Sequence, residues 1–143
     1  RILLALADSV ASRIRADGVR AYCVSVTIRA NDFKDKSHQQ TLLEPTDITD
    51  EIFRVSKRLF AQLWDGQTPL RLLGISLTQL TRDEYVQQSL FPDEKKEREK
   101  KLDQAVDHIR GKFGSDTICR GAILRSDLQV GKKYKSQLDD KKK

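Results

Sequence analysis

Apolar residues recur along the first part of the chain with the period of a helix and then with the period of a strand. Residues 1–17 place apolar side chains at helical spacing up to a glycine, which predicts an amphipathic helix. Residues 21–29 alternate strictly between apolar and polar, which predicts a half-buried strand. The core positions expected in these two elements are Leu3, Ala7, Val10, Ile14, Tyr22, Val24, Val26 and Ile28.

Similar patterns continue along the rest of the chain. A turn at residues 31–36 leads to a more polar strand over residues 37–43, and Asp47 is expected to cap the helix that follows. Residues 70–80 predict a third strand and residues 117–124 a short last one. Between the third strand and the last one, the pattern predicts another helix, which Gly114 ends. Its expected apolar stripe is Leu102, Ala105 or Val106, Ile109 and Phe113.

This order of elements predicts an α+β fold. We expect a mixed or antiparallel four-stranded sheet with helices packed on one face, while the other face is left open. The chain has 143 residues, the length of a single domain. The domain is expected to cover residues 1–127, and the basic residues 128–143 are expected to form a disordered tail.

The open face of the predicted sheet is the first candidate for function. Its side chains are small or hydrogen-bonding and include no acid, a composition that an ordinary solvated sheet face would also allow. Such a surface suits a phosphate backbone, because hydroxyl and amide groups bond to phosphate oxygens without reading base sequence. The expected contacts are Ser25, Thr27, Arg29, Ser37, Gln39, Thr41, Gly74, Ser76 and Thr78, with Lys34, Lys36 and Arg71 at the rim.

Charge and cysteine content narrow the class of protein. A net charge of +6 and a pI near 9.4 fit a polyanionic partner. Most of the excess lies in residues 92–143, with 15 basic and 10 acidic side chains. Cys23 and Cys119 stand in strand-like runs, so we expect reduced, buried thiols in a cytoplasmic protein. No apolar stretch approaches the ~20 residues that span a bilayer, and no membrane partner is expected.

The sequence contains no evident catalytic constellation. His38 and His108 are far apart and have no cysteine ligands nearby, so a metal site is not expected. Adjacent acids lie in predicted loops or charge runs, whereas two-metal chemistry needs carboxylates fixed on rigid elements. We therefore expect no catalytic residue, metal or cofactor within this chain.

Residues 87–101, QQSLFPDEKKEREKK, place Leu90 and Phe91 just ahead of a charged run. The flanking residues show no helix or strand period, and Pro92 breaks a helix. From Arg98 onward, the charged run itself fits the solvated start of the next helix. Exposed apolar surface costs about 25 cal/mol per Å², so the pair is buried either in the chain's own core or in a partner. Composition alone leaves both alternatives open.

Four stretches of the chain match a known pattern: VSVTIRANDF, LEPTDITDEIFRVSKRLFAQLW, PLRLLGISLTQL and AVDHIRGKFGSDTICRGAIL. Together they resemble the C-terminal part of bacterial Y-family translesion DNA polymerases, the polymerase IV and UmuC group. This part is called the little finger or polymerase-associated domain. The resemblance extends from Arg1 to about Leu124, nearly the whole chain, and implies a parent enzyme that acts in DNA damage tolerance and repair.

The resemblance implies two partners. The sheet face would grip duplex primer–template DNA, and QQSLF would be the pentapeptide that docks on the sliding clamp. Gln87, Ser89, Leu90 and Phe91 match that motif, whereas Gln88 stands where leucine is frequent. The clamp-binding segment is expected within a linker at residues 85–97.

The resemblance also implies parts of the parent enzyme that lie upstream. One is a palm domain whose carboxylates bind Mg²⁺, and the other is a first strand that precedes residue 1. Without that strand the sheet would be one strand short of the family pattern. We expect a monomer, although an exposed sheet edge could pair with a second copy.

Two other functions are compatible with the pattern. An RNA-binding module would stack bases on exposed strand aromatics, and the predicted open face has none. A non-catalytic protein-interaction adaptor would bind the clamp through the peptide and ignore DNA.

Overall fold

The computed structural model describes residues 1–82 and 93–123. In chain order these form helix α1 (Ile2–Ala16), strand β1 (Arg20–Ala30), strand β2 (Asp35–Thr46), helix α2 (Thr49–Leu63), strand β3 (Leu70–Thr81) and helix α3 (Glu94–Phe113). The strands make one antiparallel sheet in the order β2-β1-β3. The α+β class is therefore confirmed, and the predicted tail at residues 128–143 lies outside the described residues.

The predicted fourth strand is wrong within the described residues, because residues 117–123 form turns and irregular backbone. Gly114 ends α3 as expected, with a φ of 102° and its N–H donating to the carbonyl of Arg110. Beyond it, Arg120 donates to Asp50 at 2.7 Å and to Asp103 at 3.2 Å. These ion pairs hold the segment against α2 and α3 rather than along the sheet.

The apolar core lies between the sheet and helices α1 and α2. One cluster joins α1 to the start of β1, and a second joins the rest of β1 to α2. Fully burying a large aliphatic side chain contributes roughly 1.5–3 kcal/mol, so these two clusters hold both helices on one face. The buried members are Ala7, Ala11, Ile14, Val19, Ala21 and Ile52 in the first, and Val24, Val26, Ile28, Val55 and Leu59 in the second.

The alternation of β1 breaks near its start. Tyr22 is only half-buried, while Ala21 is fully buried against α1. The ladder with β2 shifts register between Ala21 and Cys23, and Gln79 of β3 has a φ of 53°. The inward orientation expected for Tyr22 is therefore wrong, because an irregular ladder changes which residue meets the helices.

The apolar stripe expected on α3 is wrong in part. Leu102 is 51% and Phe113 70% exposed, whereas Asp103 is buried. α3 instead contacts α1 through ion pairs: Arg15 with Asp103 at 3.2 Å and with Asp107 at 2.6 Å, and Arg110 with Asp8 at 2.9 Å. A charged interface has no hydrophobic period, so the pattern of apolar residues could not indicate it.

The N-terminus of α2 is capped differently from the prediction. Asp47 is not the cap: Ile48 holds that position, without a side-chain capping bond. The hydroxyl of Thr46 accepts the N–H of Ile48 at 3.1 Å, and Asp103 accepts the N–H of Thr49 at 2.8 Å. The first turn of α2 therefore depends on a carboxylate from α3.

The two cysteines have different surroundings. Cys23 is buried in β1 as expected, but Cys119 is exposed in the segment after α3. The expected burial of Cys119 is wrong because its segment forms no strand.

Candidate nucleic-acid interface

The antiparallel register brings the predicted contact residues of the sheet together on one side. In such a ladder, residues directly opposite each other share a face. Ser25 of β1 lies between Gln39 and Ser76, and Thr27 lies between Ser37 and Gly74. A third row places Cys23 between Thr41 and Thr78. We call this surface the open face.

The edge strands present the open face most fully to solvent. Ser37, Gln39 and Thr41 of β2 are exposed, as are Ser76 and Thr78 of β3. Ser25, Thr27 and Gly74 are half-buried between them. The two core clusters lie on the opposite side of β1, where Val24, Val26 and Ile28 meet α2. The open face thus offers hydroxyl and amide groups without a covering helix from α1 or α2.

An acid, Asp35, interrupts the open face, so the expectation of an acid-free surface is wrong. β2 begins at Asp35, two residues earlier than the sequence predicts, and Asp35 lies opposite Arg29. The carboxylate of Asp35 accepts from Nε of Arg29 at 2.5 Å and from its other guanidinium nitrogen at 2.9 Å. This bidentate pair lowers the pKa of Asp35 and raises the pKa of Arg29.

The three predicted rim cations lie in different places. Lys36 is opposite Ile28, on the side that faces the helices, and it lines a small surface cavity with Trp64. Its expected position at the rim of the open face is therefore wrong, because the register gives it the phase of Ile28. Lys34 is exposed in the β1–β2 turn and lines the same cavity as Lys36. Arg71 is exposed at the start of β3, with its guanidinium carbon 4.4 Å from the centre of the Phe33 ring.

The proposed clamp-binding residues Gln87, Ser89, Leu90 and Phe91 lie outside the described residues, and their role stays a prediction. Both flanks of the segment are described. Arg82 donates to the carbonyl of Asp17 at 3.0 Å, and Asp93 caps α3 by accepting from Lys95 and Lys96.

Comparison with known proteins places the chain in a family. The profile described as the impB/mucB/samB family C-terminal domain matches residues 1–90. The chain is a little finger domain of the Y-family DNA polymerase IV type.

Curated relatives agree with this assignment. The little finger domain is 38% identical over 132 residues to DNA polymerase IV 2 of Bacillus subtilis strain 168. The aligned region covers 90% of this chain and 31% of that protein. It is 33% identical over 127 residues to DNA polymerase IV of Clostridium acetobutylicum, covering 89% of this chain and 32% of that protein. The chain therefore spans about a third of the length of these relatives.

Within residues 1–82 and 93–123 of the little finger domain, no three His, Cys, Asp or Glu side chains are grouped so that they could hold a metal ion. His38 is exposed on β2 and His108 on α3. None of the helices in the same ranges combines the length and the apolar character that crossing a membrane requires.

Sequence reasoning missed Phe33, which lies in the turn between β1 and β2, next to the open face. Phe33 is 66% exposed at the β1–β2 turn and has a φ of 62°. The sequence did contain a signal for it, because an aromatic residue stands in the predicted turn at residues 31–36, where glycine or asparagine is usual.

Proposed function

We propose that this domain holds duplex primer–template DNA on its open face as part of a translesion DNA polymerase, and that residues 87–91 dock it on the sliding clamp. The observation that supports DNA binding most directly is that Ser25 lies between the exposed side chains of Gln39 and Ser76, in the row next to Thr27. Such groups bond to phosphate oxygens regardless of base sequence. An enzyme that accepts distorted templates needs a grip of this kind.

Charge supports the same proposal. The chain carries +6, and Arg29 lies at one end of the open face, with Lys34 in the adjoining turn and Arg71 at the start of β3. A basic surface attracts the polyanionic backbone over distances of about 10 Å at 0.1 M salt. Neutralising phosphates releases counterions, so binding should weaken steeply as salt rises.

The test of DNA binding is a charge series on the open face, read by fluorescence anisotropy of a labelled blunt duplex. Ser76 is exposed and lies opposite Ser25. Ser76→Glu should weaken binding about tenfold, because a carboxylate would then face phosphate without a partner. Ser76→Lys should strengthen it.

The matched control is Gln62→Glu, which makes the same change of charge at an exposed position on α2. It should leave affinity near that of the unaltered protein. Equal losses in Ser76→Glu and Gln62→Glu would contradict the assignment of the open face, and so would binding that does not respond to salt.

Clamp docking is proposed from the motif and its apolar pair. Leu90 and Phe91 would each contribute roughly 1.5–3 kcal/mol if fully buried in a pocket of the partner. Phe91→Ala should therefore reduce affinity for a bacterial sliding clamp about tenfold or more. Phe113→Ala is a matched control, because Phe113 is an exposed phenylalanine on α3. An unchanged affinity in Phe91→Ala would contradict the docking role.

The two contacts would act together. A weak grip on DNA becomes effective once the clamp holds the domain near the duplex, because tethering raises the local concentration. Catalysis would then belong to other parts of a longer polymerase, including a palm whose carboxylates hold Mg²⁺.

Two measurements separate this proposal from its alternatives. An RNA-binding module would prefer single-stranded RNA to duplex DNA, and an adaptor would retain the clamp in a pull-down without binding DNA. Parallel titrations with duplex DNA and RNA, alongside the pull-down, distinguish the three.

A further inference from the structure

The turn between β1 and β2 holds an aromatic side chain in an unfavourable backbone conformation. The N–H of Phe33 donates to the carbonyl of Ala30 at 3.1 Å, which closes a four-residue turn. Phe33 follows in the left-handed region, with a φ of 62°. Hairpins built in this way usually carry glycine at that position, because a side chain there is strained. Strained backbone positions cluster at functional sites, so the exposed Phe33 ring is a candidate for contact with a ligand.

The Phe33 ring is already part of a stacked pair. The guanidinium carbon of Arg71 lies 4.4 Å from the ring centre, a distance typical of cation–π contacts. Phe33 nevertheless remains 66% exposed, so a further planar group has room to pack on the ring. In the described ranges, no carboxylate forms an ion pair with Arg71.

The charges around this pair favour an anionic ligand. Asp32 accepts the backbone N–H of Lys34 at 3.1 Å, and Asp35 is engaged by both guanidinium bonds from Arg29. The ammonium of Lys34 has no carboxylate partner among the described residues. The groups that a ligand meets at the tip are therefore one ring, one guanidinium and one ammonium, beside the single carboxylate of Asp32.

We propose that Phe33 and Arg71 form a stacking site for an unpaired base of single-stranded DNA, with Lys34 placed to meet a neighbouring phosphate. Bases stack on aromatic rings and guanidinium planes, and cations beside them follow the strand's phosphates. The stacking site is at the sheet end where Arg29 joins the open face, so the strand that continues from a held duplex would reach it. The inference rests on the proposed DNA binding and adds a specific ligand, an unpaired nucleotide.

The experiment uses the whole 143-residue chain and three labelled DNAs. These are a single strand of about 12 thymidines, a blunt duplex, and the same duplex with a thymidine overhang. Phe33→Gly removes the ring and suits the left-handed backbone, so the fold is retained. It should weaken binding of the single strand and the overhang duplex by about fivefold or more, while binding of the blunt duplex stays unchanged.

Two further variants control the result. Phe113→Gly removes another exposed phenylalanine, at the end of α3, and should change none of the three affinities. Phe33→Trp should retain binding of the single strand, and its fluorescence should be quenched as thymidines are added, since the base would stack on the indole.

The outcomes distinguish failure of the stacking site from failure of the proposed DNA binding. Unchanged single-strand binding in Phe33→Gly overturns the stacking site, and so does an equal loss on blunt duplex. If the unaltered chain binds blunt duplex but gains nothing from the overhang, the stacking site alone fails. If it binds none of the three DNAs at low salt, the proposed DNA binding fails as well.

Discussion

The carboxylate of Asp103 in α3 accepts the backbone N–H of Thr49 at 2.8 Å, so one helix caps the first turn of another. Arg15 and Arg120 each approach the same carboxyl group at 3.2 Å. Burial raises the pKa of Asp103, while the N–H of Thr49 and the two guanidinium groups oppose that rise. One buried acid thus connects α1, α2, α3 and the segment that follows α3.

The first prediction concerns this connection. Asp103→Ala should lower the free energy of unfolding by about 3–5 kcal/mol, because it leaves Arg15 buried without one of its partners and the N–H of Thr49 without an acceptor. Urea unfolding followed by circular dichroism measures the change. Glu97→Ala, at an exposed acid of the same helix, should stay within about 0.5 kcal/mol of the original protein. A similar, small effect for both variants would mean that the buried carboxylate contributes little.

The second prediction concerns pH. The hydroxyl of Thr68, followed by the backbone N–H groups of Thr68 and Gln67, lowers the pKa of Asp65 to about 2. An acid whose pKa is depressed in the fold stabilises it above the ordinary value near 4, and that contribution is lost as the pH falls toward 2. Thr68→Val removes the hydroxyl bond and should move the pKa of Asp65 back toward its ordinary value.

A carboxyl-carbon titration by NMR measures the pKa of Asp65 directly. Thr117→Val removes a hydroxyl from another turn, where Thr117 donates to the carbonyl of Gly114, and should leave Asp65 unchanged. If the pKa of Asp65 is the same with and without the hydroxyl of Thr68, the hydrogen bond is not its main cause.

The third prediction concerns Asp35, the acid that pairs with Arg29 on the open face. Asp35→Asn should release Arg29 for a phosphate and strengthen duplex binding. The slope of the logarithm of the binding constant against the logarithm of the salt concentration should become steeper by about one. Anisotropy titrations at several salt concentrations measure both quantities. Asp17→Asn makes the same change in net charge at the end of α1 and should leave the slope as it was. A weaker affinity in Asp35→Asn would show that Asp35 orients Arg29 instead of competing for it.

The fourth prediction isolates the strain in the β1–β2 turn. Phe33→Gly and Phe33→Ala both remove the ring, so they differ chiefly in how they tolerate a φ of 62°. The glycine variant should be more stable by about 1 kcal/mol in urea unfolding. At Asn31, which lacks a positive φ, the order of the alanine and glycine variants should reverse. Equal stability of the two Phe33 variants would argue against a strained turn.

The alternation of apolar and polar residues places most side chains of β1 and β3 correctly. Ser25, Thr27, Gly74 and Ser76 lie on the open face as their alternation predicts, because the side-chain period of a strand is two and these strands are 11 and 12 residues long. The phase fails only near Tyr22, where the ladder is irregular. Lys36 was misplaced for a different reason, since the start of β2 lay in a polar stretch that gave no period.

The position of α3 could not be predicted from local pattern. Arg15 and Asp103 are 88 residues apart along the chain, and an ion pair leaves no periodic trace in either segment. The run around Cys119 reads as a strand because its residues favour one, yet the ion pairs of Arg120 hold it elsewhere. Local propensity yields to such long-range contacts.

The different exposure of the two cysteines has a practical consequence. Cys23 is buried in β1 and Cys119 is exposed, so a maleimide dye under native conditions should modify only Cys119 of this chain. That thiol is adjacent to Arg120, the residue that joins its segment to α2 and α3. This chain thus offers one labelling position, from which energy transfer or spin-label spectroscopy could follow whether the segment after α3 stays in place when DNA or the clamp is added.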